Sequence, residues 1–173
     1  MDTRVGHAHP ARPAHLQAEA AVRALRGSGV LRVLSKAMTS EDFPPAQFQR
    51  LVDEAIASLP QRFRDAMVNM AIVVEDEPTL DQLREVEVDP PDTIYGLYEG
   101  TPLPERQWAH GNVLPDKISL FRLPILEDSA DEDDVVVGIG ETLIHEVGHY
   151  FGLNEEEIME IEEKYWRGDD DAS

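Results

Sequence analysis

The sequence predicts an α+β domain. Helical periodicity marks two long segments, and three compact apolar, β-branched or aromatic runs lie between them. The length of 173 residues suits a single core. Residues 1–38 read as an N-terminal extension, flexible or weakly helical. The first fifteen mix His, Pro, Ala and Gly without apolar period, and a weak helix over 16–34 is interrupted by Gly27 and Gly29. His7, His9 and His15 match no ligand spacing and are read with this unstructured stretch. The domain proper is expected over 39–167. Ser40 and Asp42 are capping residues, and Pro44 and Pro45 suit a first helical turn. Phe48, Leu51, Val52, Ala55, Ile56 and Leu59 then give the buried stripe of an amphipathic helix ending before Pro60. A short helical turn is expected over 60–67. Residues 70–74 read as a buried strand, 75–92 as an acidic, proline-bearing loop, 93–98 as a second strand and 117–121 as a third, with 123–126 leading out of it.

The four acids at 131–134 precede a long helical pattern, where they complement the positive end of the helix dipole. Ile139, Leu143, Val147 and Phe151 form its core face with Val136 and Ile144, and Gly152 supplies the stop. Residues 155–167 read as a last short helix with Ile158, Ile161 and Tyr165 inward, and 168–173 as a disordered acidic tail.

The formal net charge is −20, which disfavours nucleic acid because phosphate would be repelled. The first forty residues lean basic and the remainder is acidic. The acidity is read as a solvated surface; a preference for basic substrates has only charge sign behind it. There are no cysteines, so any metal must be held by His and carboxylate. No apolar run is long enough to span a membrane, and no signal-peptide pattern opens the chain. A cytoplasmic, monomeric protein is the default expectation.

His145, Glu146, Val147, Gly148 and His149 match H-E-x-x-H. Residues four apart share a helix face, so both imidazoles reach one ion. Glu146, beside the first ligand, is placed to act as general base without binding the metal. Gly152 permits a left-handed turn that returns the chain towards the histidines. Glu155 then stands where a third ligand falls in the extended pattern H-E-x-x-H-x-x-G-x-x-H/D. Two imidazoles and one carboxylate leave a position open for water, the composition of a catalytic zinc site. Two other readings of the third ligand stay open. Glu156 competes with Glu155 in the run 155–157, where Asn154 would cap the last helix, and Glu160, Glu162 or Glu163 would serve if the ligand came from a later helix.

These residues resemble the bacterial minimal zincins, a family of small zincin-like metallopeptidases. The resemblance covers about 39–166 and is carried by VVEDEP at 73–78, GLYEGTPL at 96–103 with Arg106, LPDKI at 114–118, and HEVGHYFG at 145–152. The family pattern normally has Asp in the third-ligand place, where this chain has Glu155. The resemblance implies a short mixed sheet of three to four strands packed with an N-terminal helix and the motif helix. It also implies a Zn2+-dependent peptidase with His145, His149 and Glu155 on the metal and Glu146 as catalytic base, acting on a peptide or protein substrate.

An inactive domain that uses the same scaffold as a metal-binding or protein-interaction module is the alternative function, and a purely structural H-E-x-x-H is a third. Few elements remain to build a deep cleft, whereas an edge strand beside the motif helix would favour the peptidase, because an extended substrate pairs there as an added strand. Glu99 and Arg106 are expected to form a loop salt bridge, Tyr150 to pack, His110 to be an ordinary surface histidine, and Trp108 and Trp166 to anchor packing.

Overall fold

The computed structural model describes residues 5–10, 38, 40, 41, 43–106 and 115–167. Four strands form one sheet: β1 (Val5–Pro10), β2 (Met70–Glu75), β3 (Ile94–Gly100) and β4 (Asp116–Phe121), in the order β1-β3-β4-β2. β3 is antiparallel to both β1 and β4, whereas β2 runs parallel to β4, so the sheet is mixed and the fold is α+β. The helices are α1 (Pro45–Ser58), α2 (Gln61–Met67), α3 (Leu80–Glu85), α4 (Arg122–Glu127), α5 (Glu132–Tyr150) and α6 (Glu155–Arg167). No helix among the described residues is long and apolar enough to cross a membrane.

The main core lies between one face of the sheet and α1, with α5 filling the space between them. Phe48, Leu51, Val52 and Ala55 of α1 meet Ile139, Leu143, Ile144 and Val147 of α5, and Tyr98, Ile118 and Leu120 close it from the sheet. Each of these α5 side chains, fully buried, contributes roughly 1.5–3 kcal/mol relative to exposure. A smaller cluster of Leu83, Ile94, Leu97 and Phe121 covers the other face. The division follows a bulge in β3. Pro10 opposes Ile94 and His9 opposes Gly96, so Tyr95 has no counterpart on β1. Side-chain alternation shifts there, and Tyr95 joins Tyr98 in the main core while Ile94 and Leu97 reach the smaller one.

The structure departs from the sequence reading in four places. Residues 75–92 hold α3, begun by a reciprocal capping box in which the Thr79 hydroxyl accepts from the Gln82 amide and the Gln82 side chain accepts from the Thr79 amide. Residues 122–127 form α4 instead of merely leaving the strand. Its first residue, the buried Arg122, donates to Asp76 Oδ1 (2.9 Å) and to the Phe43 carbonyl (2.6 Å), which ties β4 to the start of α1. The N-cap of α1 is Pro44, with no side-chain cap. Finally, Val5–Pro10, read as unstructured, is a strand whose backbone pairs with β3. The helix expected at 16–34 and the tail at 168–173 lie outside the described residues.

Candidate metal centre

α5 starts where the acids predict. Asp131 Oδ1 caps it by accepting from the Asp134 amide, and Glu132, Asp133 and Asp134 fill its first turn. The sequence suggests a one-sided core face, but every residue from 142 to 149 is buried. A helix enclosed between a sheet and another helix is covered on all sides. His145, Glu146 and His149 therefore sit in the interior although they are polar.

The contact between α5 and β3 depends on Gly96. A Cβ there would lie 2.5 Å from Thr142 Cγ2 and 3.3 Å from Glu146 Cγ, so only glycine lets the helix ride this close. The close approach brings the Tyr98 backbone amide within 2.8 Å of Glu146 Oε2, to which it donates. The carboxylate is fully buried and is held by the sheet as well as by its own helix.

At its C-terminus α5 closes in a Schellman turn. The Gly152 amide donates to the His149 carbonyl, the Leu153 amide donates to the Gly148 carbonyl, and Gly152 has φ +78°. Asn154 then begins α6 through a second capping box: its side chain accepts from the Glu157 amide and the Glu157 carboxylate accepts from the Asn154 amide. Glu157 is thereby committed to the cap, Glu156 is exposed, and Glu155, the first residue of α6, faces the histidines. We expect Gly152→Ala to destabilise the protein by about 1–3 kcal/mol, read as a lower urea midpoint at unchanged slope. A left-handed residue with a Cβ costs about 1–2 kcal/mol, and this Cβ would also lie 2.7 Å from Pro104 Cγ.

Glu155 Oε2 lies 3.4 Å from His145 Nε2, and Glu155 Oε1 lies 3.4 Å from His149 Nε2. Ligand atoms from the three residues all fall within 4.8 Å of one another. Tetrahedral zinc with bonds of about 2.0–2.2 Å sets its ligand atoms about 3.4 Å apart. Both separations from the imidazoles to the Glu155 carboxylate match that spacing, and the donor set suits such an ion. The two imidazoles are only 6% exposed, while Glu155 is 64% exposed, so the site is built at the wall of the domain and opens on the Glu155 side.

Glu162, weighed from the sequence as a third ligand, stands elsewhere. Its Oε1 is 3.2 Å from His145 Nδ1, on the ring nitrogen opposite the one that faces Glu155. A carboxylate there fixes the ring orientation and favours the tautomer whose Nε2 lone pair can bind a metal. Sequence reasoning missed this role because it depends on how α6 docks; the signal was the seven-residue interval from Glu155 to Glu162, two helical turns on one face. Burial alone would lower the His145 pKa. The hydrogen bond to Glu162 and the negative charges of Glu146, Glu162 and Glu155 outweigh it, and the pKa lies above the ordinary histidine value. We expect Glu162→Gln to keep the fold but weaken zinc binding by roughly 10–100-fold, the usual cost of removing such a partner. Competition with a chromophoric chelator reads this directly, and an unchanged affinity would show that Glu162 does not orient the ring.

Around the site, Arg106 pairs with Asp116 and also donates to the Thr101 carbonyl (2.9 Å). Its guanidinium stacks 5.1 Å from the centre of the Tyr150 ring. The expected Glu99–Arg106 bridge is not formed; Glu99 pairs with Lys117, its register partner on β4. Tyr98 donates from its hydroxyl to Asp116 (2.8 Å), and burial together with that acid pushes its pKa well above the usual tyrosine range. Tyr150 packs edge-on against Tyr98, the packing role anticipated for it. Pro102, Pro104, Glu105, His149, Gly152 and Leu153 line a pocket of about 170 Å³ beside the candidate metal site. Trp108 and His110 lie outside the described residues.

A helix bearing H-E-x-x-H, packed on a mixed sheet and met from outside by a returning carboxylate, defines the zincin class of fold. Residues 67–165 match the zincin-like metallopeptidase family, and the chain belongs to that family. The match begins at the end of α2 and includes the whole sheet except β1, together with His145, His149 and Glu155; α1 lies before it. No curated protein matches the chain.

Proposed function

We propose that the chain is a zinc-dependent peptidase in which His145, His149 and Glu155 hold the ion and Glu146 is the general base. The observation that carries this reading is the pair of 3.4 Å separations from the two Nε2 atoms to one carboxylate. Zinc held there would polarise the scissile carbonyl and lower the pKa of a water molecule to about 7. Glu146 takes the proton released in the attack and passes it to the leaving amine. The Tyr98 amide fixes which way that carboxylate faces. The pocket beside His149 is smaller than the roughly 300–1,000 Å³ that encloses a drug-sized ligand. It suits one side chain of an extended peptide or an unfolded protein segment, with the peptide backbone aligned along β3.

The same small pocket favours the second reading, a protein-interaction or metal-binding module that cuts nothing. Elemental analysis of protein purified without a chelator or a His-tag should find about one zinc per chain. Affinity should fall as pH drops, because protons and metal compete for the same imidazole nitrogens. No divalent metal after zinc loading would remove the site and the peptidase with it. One zinc per chain with no cleavage across a diverse peptide library would leave the module.

A further inference from the structure

The strand of the sheet that lies against the catalytic helix is β3, and the segment that contacts Glu146 is 96–98. An extended substrate reaches that segment by adding a strand to the edge of β3 away from β4. This edge is taken. The chain's own residues 7–9 run antiparallel to it, opposite Gly96, Leu97 and Tyr98, and β1 also packs against α5. We propose that β1 is a built-in occupant of the substrate strand position, which an incoming peptide must displace before it reaches Glu146. The proposal rests on the peptidase reading and adds to it that access is controlled from within the chain.

The sequence of β1 suits an occupant that leaves. It is six residues long, contains Gly6, and ends at Pro10, which has no amide to donate. It is held by its backbone pairing with β3 and by its packing against α5. A tethered segment nevertheless competes at an effective concentration on the order of millimolar. It therefore suppresses weak, non-specific peptides and yields to a ligand that gains more from β3 and the metal together. The result is a raised apparent dissociation constant, by the reciprocal of the fraction of molecules with the edge free.

The chain contains no native cysteine. Gly6 and Glu99 are directly opposed in the register, and neither belongs to the proposed machinery. Gly6→Cys/Glu99→Cys in the full-length, zinc-loaded protein thus gives one disulfide that locks β1 on β3 when oxidised and frees it when reduced by a phosphine. Two probes are titrated into both states: a tripeptide hydroxamate, which needs strand and metal, and acetohydroxamate, which needs the metal alone. The peptide probe should bind at least about tenfold more weakly to the oxidised form, a ratio set by the fraction of open edges, while acetohydroxamate should bind both forms equally. Gly6→Pro/His7→Pro, which removes two adjacent amides that point to opposite edges and so one that faces β3, should bind the peptide probe more tightly than wild type. Failure of the disulfide to form, or equal affinity of the peptide probe for both states and for the proline variant, overturns the proposal. If acetohydroxamate binds none of the forms, the metal-site reading beneath it fails instead.

Discussion

Glu146→Gln should retain about one zinc per chain and lose turnover by at least about a hundredfold, the usual contribution of a positioned general base. On the transition-state scale this is about 2.7 kcal/mol. The substitution is informative because it preserves so much. Glutamine has nearly the same shape, its side-chain oxygen can still accept the 2.8 Å hydrogen bond from the Tyr98 amide, and it fills the same fully buried volume beneath Thr142 and Gly96. What it removes is the ability to take a proton. Zinc content, thermal midpoint and kcat/KM on a peptide substrate should therefore separate, the first staying, the second moving little and the third collapsing. A variant that cleaves as fast as wild type would show that the base lies elsewhere. Wild-type protein that holds zinc, cuts nothing and is unaffected by this substitution would be an interaction module on a peptidase scaffold.

The two halves of the centre were legible to different depths. The motif helix and α6 were readable because apolar spacing and punctuation agree: acids at 131–134, Gly152 after the last periodic residue, Asn154 before the next run. The pattern could not separate Glu155 from Glu156, since neighbouring acids at a helix start are equivalent in sequence. The Asn154–Glu157 capping box separates them by fixing the phase of the first turn, which leaves Glu155 on the side of the histidines. α3 was missed although Thr79 and Gln82 carry a start signature, because the acids and prolines around them dominate the composition. β1 was missed for a tertiary reason. A run of Val, Gly, His, Ala, His and Pro has little strand preference of its own, and it becomes a strand only by pairing with β3. The Arg106–Asp116 pair joins a loop to a strand start, a contact that local spacing does not encode.

The ligand set makes the other large prediction. His149→Ala should abolish stoichiometric zinc binding and, with it, all activity and all zinc-dependent stabilisation. A ligand that binds only the folded protein stabilises it by RT ln(1 + [L]/Kd), about 2.7 kcal/mol at a hundred times Kd. Wild type should therefore show a thermal midpoint that rises with zinc, and His149→Ala a midpoint that does not. The third ligand can be separated from the fold more cleanly. Glu155 is 64% exposed, so removing its side chain should change metal-free stability by no more than about 0.5 kcal/mol, as for other surface sites. Its two oxygens nevertheless each stand 3.4 Å from an imidazole nitrogen, and Glu155→Ala should weaken zinc by more than about a hundredfold, beyond the range for partners that only orient a ligand. Glu155→Asp shortens the arm by one methylene but keeps one oxygen for the metal, which is all that a tetrahedral site needs from it. It should lose less than about tenfold, a shift of under about 1.4 kcal/mol. If Glu155→Ala binds zinc as wild type does while Glu156→Ala or Glu162→Ala abolishes binding, the third ligand is that residue, and the Glu155 carboxylate is only a neighbouring charge.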